Sequence, residues 1–167
     1  MIIVIIQARM GSSRLPGKTL LKIDDKKTVL EFGINQLTSS NLLDKIIVAT
    51  TNLKSDDVIE NFVKNMNVDV FRGKSNDVLD RYFQCAKHFS IDTIVRITGD
   101  NPLVDPTIID NLIQKFTLNS YDYLSNAHVR TFPYGTEVEI FSFESLEQAW
   151  KNAILPSERE HVTPYFY

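Results

Sequence analysis

An α/β fold with a mostly parallel sheet is predicted by three observations on this 167-residue sequence. Short runs of β-branched apolar residues alternate with longer stretches of helical periodicity. Those runs are continuously apolar, as strands covered on both faces are. The composition, 43% hydrophobic and 23% charged, is that of a chain with a packed core, and the length suits a single domain over 1–167.

Taken in order, strands are predicted at Ile2–Gln7, Lys45–Ala49, Val68–Phe71 and Thr93–Ile97. Helical patterns lie between and after them at Thr28–Ser39, Ser55–Asn65, Asp77–Phe89 and Pro106–Asn119. Ser55-Asp56-Asp57 is a helix start whose side-chain oxygens can accept orphan backbone N–H groups, and Asp105-Pro106 is another, with proline tolerated at the first helical position. Beyond residue 120 the rhythm changes: Tyr121–Leu124 and Thr136–Phe141 read as strands, Ser142–Asn152 as a helix, and Leu155–Tyr167 as irregular and aromatic.

Several classes are excluded. A net charge of -3 argues against a dedicated nucleic-acid binder, and one cysteine, Cys85, rules out an internal disulfide framework. No run approaches the roughly 18 apolar residues of a membrane span, so membrane insertion is not expected. Met1–Ile6 lacks a basic lead-in and gives way to Gln7-Ala8-Arg9, so it reads as a buried strand and not a signal peptide. The expectation is a soluble cytoplasmic protein. His88, His128 and His161 show no metal-ligand spacing, and Cys85, beside Phe83, Ala86 and Phe89, reads as a small core residue.

The charge is unevenly spread. Residues 1–23 hold Arg9, Arg14, Lys18 and Lys22 and no carboxylate, while the remainder carries 14 cations against 21 acids. The basic segment Gln7-Ala8-Arg9-Met10-Gly11-Ser12-Ser13-Arg14-Leu15-Pro16-Gly17-Lys18 follows the first strand directly. In an open parallel sheet, ligands settle at the carboxyl ends of strands, where this loop sits. Gly11 and Gly17 let backbone approach a ligand, Ser12 and Ser13 add hydroxyls, Arg9 and Arg14 can fork onto phosphate oxygens, and Lys18 brings a point charge. A solvated basic turn is the plainer alternative. The loop is not a P-loop: five residues, one of them Pro16, separate its glycines where that motif has four. Asp100 ends another predicted strand, where a hard cation such as Mg²⁺ would find a carboxylate, although Gly99-Asp100-Asn101-Pro102 would equally make a turn.

The loop at 7–18 resembles the signature of the CMP-sugar synthetases, the cytidylyltransferases that activate KDO, sialic acid and related acidic sugars, and it is most similar to the branch of spore-coat polysaccharide biosynthesis protein F. The similarity continues through Asn76–Tyr82, Arg96–Leu103 and Phe132–Phe141. It implies a three-layer α/β/α sandwich of the GT-A-like, nucleotide-diphosphosugar-transferase kind. It further implies transfer of CMP from CTP to an acidic sugar with release of pyrophosphate, for surface polysaccharide synthesis, with Mg²⁺ as cofactor and a homodimer possible in the full-length relatives. Carried over by position, it gives Ala8, Arg9, Gly11, Ser12, Ser13, Arg14, Lys18, Arg72 and Thr98 to the nucleotide. Lys18, Arg9 and Asp100 go to catalysis, Asp100 to the metal, and Tyr134, Glu137 and Glu139 to the sugar. For Arg81 the choice is between facing the phosphates and pairing with Asp77.

Two departures accompany the resemblance. Thr98 stands where relatives often carry a glutamine that approaches the nucleotide, which loosens the assignment of cytosine and leaves another nucleotide or acceptor open. A second metal-binding aspartate falls beyond Tyr167 in relatives, so the chain is expected to be the N-terminal portion of a longer enzyme, or else a non-catalytic nucleotide-binding module.

Overall fold

A computed structural model describes residues 1–12, 15–129 and 131–167. The strands are β1 (Ile2–Gln7), β2 (Lys45–Thr51), β3 (Asp69–Gly73), β4 (Thr93–Thr98), β5 (Tyr123–Ser125) and β6 (Glu139–Ser142), and the helices are α1 (Val29–Leu37), α2 (Asp57–Asn65), α3 (Val78–His88), α4 (Pro106–Leu118), α5 (Phe143–Asn152) and α6 (Pro156–His161). The six strands form one sheet in the order β3-β2-β1-β4-β6-β5. β1, β2, β3 and β4 run parallel, while β6 is antiparallel to both β4 and β5.

The predicted two-sided cover is present, and the period of two assigns each strand residue to a layer. Ile3 and Ile5 of β1 join a core beneath α3 and α5 with Leu79, Tyr82, Leu146 and Ala149. Val4 and Ile6 join the opposite core with Leu30 and Ile34 of α1, Ile59 and Val63 of α2, and Ile109 and Ile113 of α4. A single strand shifted by one residue would exchange these sets. Cys85 lies in the first core, where burial pushes its thiol up to about 12. Among the described residues no helix is long and apolar enough to cross a membrane.

The chain runs outward from β1 to β2 and β3, then crosses to the other side of β1 to form β4. That reversal opens a crevice at the carboxyl ends of β1 and β4, the switch point where such sheets bind ligands.

Local differences from expectation have specific causes. α1 begins with a full capping box, in which the Thr28 hydroxyl accepts from the Glu31 N–H at 3.2 Å and the Glu31 carboxylate accepts from the Thr28 N–H. Asp105 caps α4 as expected, accepting from Thr107 N–H at 2.7 Å. Asp56, in contrast, makes no side-chain cap for α2, because its carboxylate is engaged elsewhere. The strand predicted from Thr136 starts only at Glu139: the Asn126 amide accepts from Val138 N–H and donates to the Thr136 carbonyl, taking the place of a ladder. Leu155–Tyr167 is not irregular. Pro156 opens α6, the Glu158 carboxylate accepts from the Ile154 and Leu155 N–H groups, and a 3₁₀ turn covers Pro164–Phe166.

Candidate active site

The cleft at the switch point starts where β1 runs out. Ala8 is buried and extends the ladder by one bond, its N–H donating to the Ala49 carbonyl at 3.2 Å. Arg9 follows, exposed. Met10 N–H is then caught by Asp56 Oδ1 at 2.7 Å, while the other oxygen of this buried carboxylate accepts from the Thr51 hydroxyl. This is what removes Asp56 from helix capping: it tethers the basic loop to the β2–α2 junction. Gly17 closes the loop with an N–H to Met10 carbonyl bond of 2.9 Å, at φ +71°, a conformation that a Cβ would strain. The 3₁₀ turn Lys18–Leu20 comes next, with Lys18 forming an ion pair with Asp100.

Asp100 reaches this place because β4 pairs with β1 in register to Thr98 opposite Gln7. Gly99 then passes so close that its N–H donates to the Gln7 carbonyl at 2.8 Å, and a Cβ there would stand 2.9 Å from that oxygen and 3.1 Å from Ala8 Cβ. Burial works to raise the Asp100 pKa, but the Lys18 ammonium and the Thr98 hydroxyl outweigh it and hold the carboxyl below its ordinary range. The group is therefore ionised at neutral pH.

Together these residues wall a cavity of about 260 Å³. Of the residues assigned to nucleotide, metal or catalysis from the sequence, Ala8, Arg9, Ser12, Lys18 and Asp100 line it. Gln7, Thr19, Val78, Glu160 and His161 line it too and were not among the predicted site residues, and so does Arg81, for which facing the phosphates was one of two alternatives. Val78 and Arg81 come from α3, and Glu160 and His161 from α6, so the roof is built from the helical layer that covers the far ends of the sheet. Gly11 is not part of the lining, and a Cβ on it would meet nothing within 4 Å. Ser13 and Arg14 lie outside the described residues.

The remaining predicted residues are placed elsewhere. Arg72 is fully engaged by its own neighbourhood: Nη1 donates to Asp57 and Glu60 at 2.6 Å each, Nε to the Thr51 carbonyl and Nη2 to the Leu53 carbonyl. Thr98 sits under Asp100 and not on the cavity wall. Glu139 faces inward and pairs with Arg96, its opposite in the β4–β6 register, while its other oxygen accepts from the Tyr123 and Thr163 hydroxyls at 2.7 Å. The expectation of a sugar contact at Glu139 thus meets a carboxylate already saturated with partners. Glu137 accepts from Gly135 N–H at 2.7 Å and from the Asn101 amide at 3.2 Å, and Tyr134 is 75% exposed, both away from the cavity. Asp77 caps α3 and pairs with Arg159, not with Arg81.

Among the described residues no group of three His, Cys, Asp or Glu side chains could hold a metal by itself. A Mg²⁺-type cation asks less of a protein when phosphates complete its shell, one or two carboxylates being enough. Asp100, ionised beside the basic loop, fits that share.

Known proteins resemble this chain over nearly its whole length. A protein of Methanocaldococcus jannaschii, MJ1063, is 48% identical over 99% of this chain and 67% of its own length. The spore coat polysaccharide biosynthesis protein SpsF of Bacillus subtilis is 33% identical over 98% of this chain and 69% of its own. A solved cytidylyltransferase from Leptospira borgpetersenii superposes with a TM-score of 0.94 at 43% identity, covering 98% of this chain and 69% of that one. The chain thus spans about two thirds of the length of these relatives. The cytidylyltransferase family model matches residues 3–167, nearly the whole sheet and every wall of the cleft, and the chain belongs to that family.

Proposed function

We propose that the cleft binds CTP with Mg²⁺ and that the enzyme transfers CMP to an acidic sugar of the KDO, sialic or nonulosonic type, for surface polysaccharide synthesis. The observation that carries this reading is the convergence of Arg9, Ser12 and Lys18 on Asp100 at the β1/β4 switch point. Such a set suits a triphosphate. Arg9 and Lys18 draw the β- and γ-phosphates, and Ser12 offers a hydroxyl to a phosphate oxygen. The sugar hydroxyl attacks the α-phosphorus and gives its proton to solvent. The bond from that phosphorus to the bridging oxygen breaks, and pyrophosphate departs with the negative charge.

Positioning and charge stabilisation do most of the work in such a transfer. Lys18 is held by Asp100 in the free protein, and the incoming phosphates, once bound, replace that carboxylate as its partner. Asp100 would then be free to hold a Mg²⁺ ion, which would supply positive charge to offset that of the phosphates. A relative named 3-deoxy-manno-octulosonate cytidylyltransferase, 35% identical over 66% of this chain and 44% of its own length, supports the acidic-sugar acceptor, and the reading places the enzyme in the cytoplasm.

Calorimetric titration with CTP, ATP, GTP and UTP in Mg²⁺ tests the reading, followed by pyrophosphate release with candidate sugars. Selective CTP binding that Lys18→Ala abolishes is the expected result. Equal binding of all four nucleotides, or none, overturns it.

A further inference from the structure

Arg81 is among the largest fully buried side chains, 1% exposed, yet it lines the cavity. Its Nη1 donates to the Lys74 carbonyl at 2.9 Å, its Nε has no hydrogen-bond partner, and among the described residues no carboxylate forms an ion pair with it. The acids nearby are committed elsewhere: Asp77 to Arg159, Asp80 to Lys74 and the Trp150 indole, Asp56 to Met10 N–H and the Thr51 hydroxyl. Room for the side chain is deliberate. Gly73 ends β3 against its stem, where a Cβ would stand 2.9 Å from Arg81 Cγ. Burial, and the charge of Arg9 on the same wall, push the Arg81 guanidinium below its ordinary range. Arg9 likewise has no ion pair among the described residues.

Asp56 and Asp77 attract it without pairing with it, and a buried guanidinium with no directly paired carboxylate is costly, a cost that an anion entering the cavity lowers. We propose that Arg81 is a further nucleotide-binding residue, its guanidinium on the cavity wall and Arg9 together taking an oxyanion of the phosphate chain. The assignment rests on the reading of the cleft as a nucleoside triphosphate site. It makes the unligated protein incomplete at one defined point and gives the phosphates a fork-shaped partner from α3, opposite the loop that carries Lys18.

Thermal melting of the full chain tests this with Arg81→Met, alone and with Mg²⁺ plus CTP, pyrophosphate or cytidine. Met keeps most of the apolar stem and deletes the charge. The variant is expected to melt at or above the wild type without ligand, to lose at least tenfold in affinity for CTP and for pyrophosphate, and to bind cytidine as before. If the Met variant fails to fold, Arg81→Gln, which keeps an N–H for the Lys74 carbonyl, decides by the same ligand readings. Unchanged affinity for CTP and pyrophosphate overturns the proposal. So does a loss shared by CTP and cytidine but not pyrophosphate, which would make Arg81 a reader of the base. A wild type that binds neither CTP nor pyrophosphate would fail the nucleotide reading itself, a result distinct from failure of Arg81 alone.

Discussion

Arg96 and Arg81 lie on the same side of the sheet, one beneath Tyr82 and the other one position before it, and they are treated in opposite ways. Arg96 sits 5.8 Å from the Tyr82 ring centroid, pairs with Glu139 and donates to the Gln7 amide oxygen at 3.1 Å. Its carboxylate partner is in turn saturated by Tyr123 and Thr163. Arg81 has a single carbonyl, an Nε without a partner and a place on the cavity wall. Both leave Nε without a partner, and what separates them is the paired carboxylate that Arg96 has and Arg81 lacks. A charge neutralised from within belongs to the architecture. A charge left to be neutralised from outside belongs to the ligand.

Removing Glu139 gives the sharpest test of the architectural side. Glu139→Ala strands Arg96 without its carboxylate and is expected to destabilise the fold by about 3–5 kcal/mol in urea denaturation. A loss of the size seen at ordinary surface sites would show that Arg96 finds another partner, and the contrast with Arg81 would collapse. Lys18→Ala tests the ligand side. Turnover should fall by roughly 10²–10³-fold, the scale of losing one donor to developing charge, while the melting temperature barely moves because the Lys18–Asp100 pair is substantially solvated. Unchanged turnover would sink the role given to Lys18.

Asp110 offers a paired charge of a third kind, a staple between α4 and the turn after α1. Burial alone would raise its pKa. The Ser40 hydroxyl and the Asn41 and Leu42 N–H groups outweigh it and hold the carboxyl below the ordinary range. A depressed folded pKa contributes stability above the unfolded value of about 3.9 and loses it as pH falls through the folded one. Asp110→Asn should therefore cost about 1–2 kcal/mol at pH 7, and the gap to wild type should close in acid. A gap that persists at pH 2 would assign the effect to shape and not to charge. The smallest expected change is at Thr28→Ala, about 1 kcal/mol from the lost cap of α1, read as a shift in the denaturation midpoint with no effect on nucleotide binding.

What the sequence revealed follows a simple physical division. The basic loop and Asp100 were legible because strand, turn and charge occur within a dozen residues, and the carboxyl end of a parallel strand has a known use. The layers were legible because Ile3, Val4, Ile5 and Ile6 form a run apolar on both faces. Glu139 was given to the sugar by its position in the resemblance, and position does not tell what a carboxylate packs against: Arg96 becomes its partner only through the β4–β6 register. Arg72 was likewise assigned by position, and its acids Asp57 and Glu60 arrive from α2. Arg81, Glu160 and His161 meet only when α3 and α6 pack together. The local signals for α6, Pro156 and Glu158, were present, but the helix they open is only six residues long.

The close passage of Gly99 over Gln7 and Ala8 has a geometric consequence. Adjacent parallel strands keep a separation of about 4.8 Å, and here that separation is locked one residue past the last ladder pair. The distance from the root of the basic loop to the root of Asp100 is thus a lattice constant of the sheet. Sequence changes in the loop can retune which phosphates it grips, but the two halves of the charge pair remain mounted on a single rigid ruler.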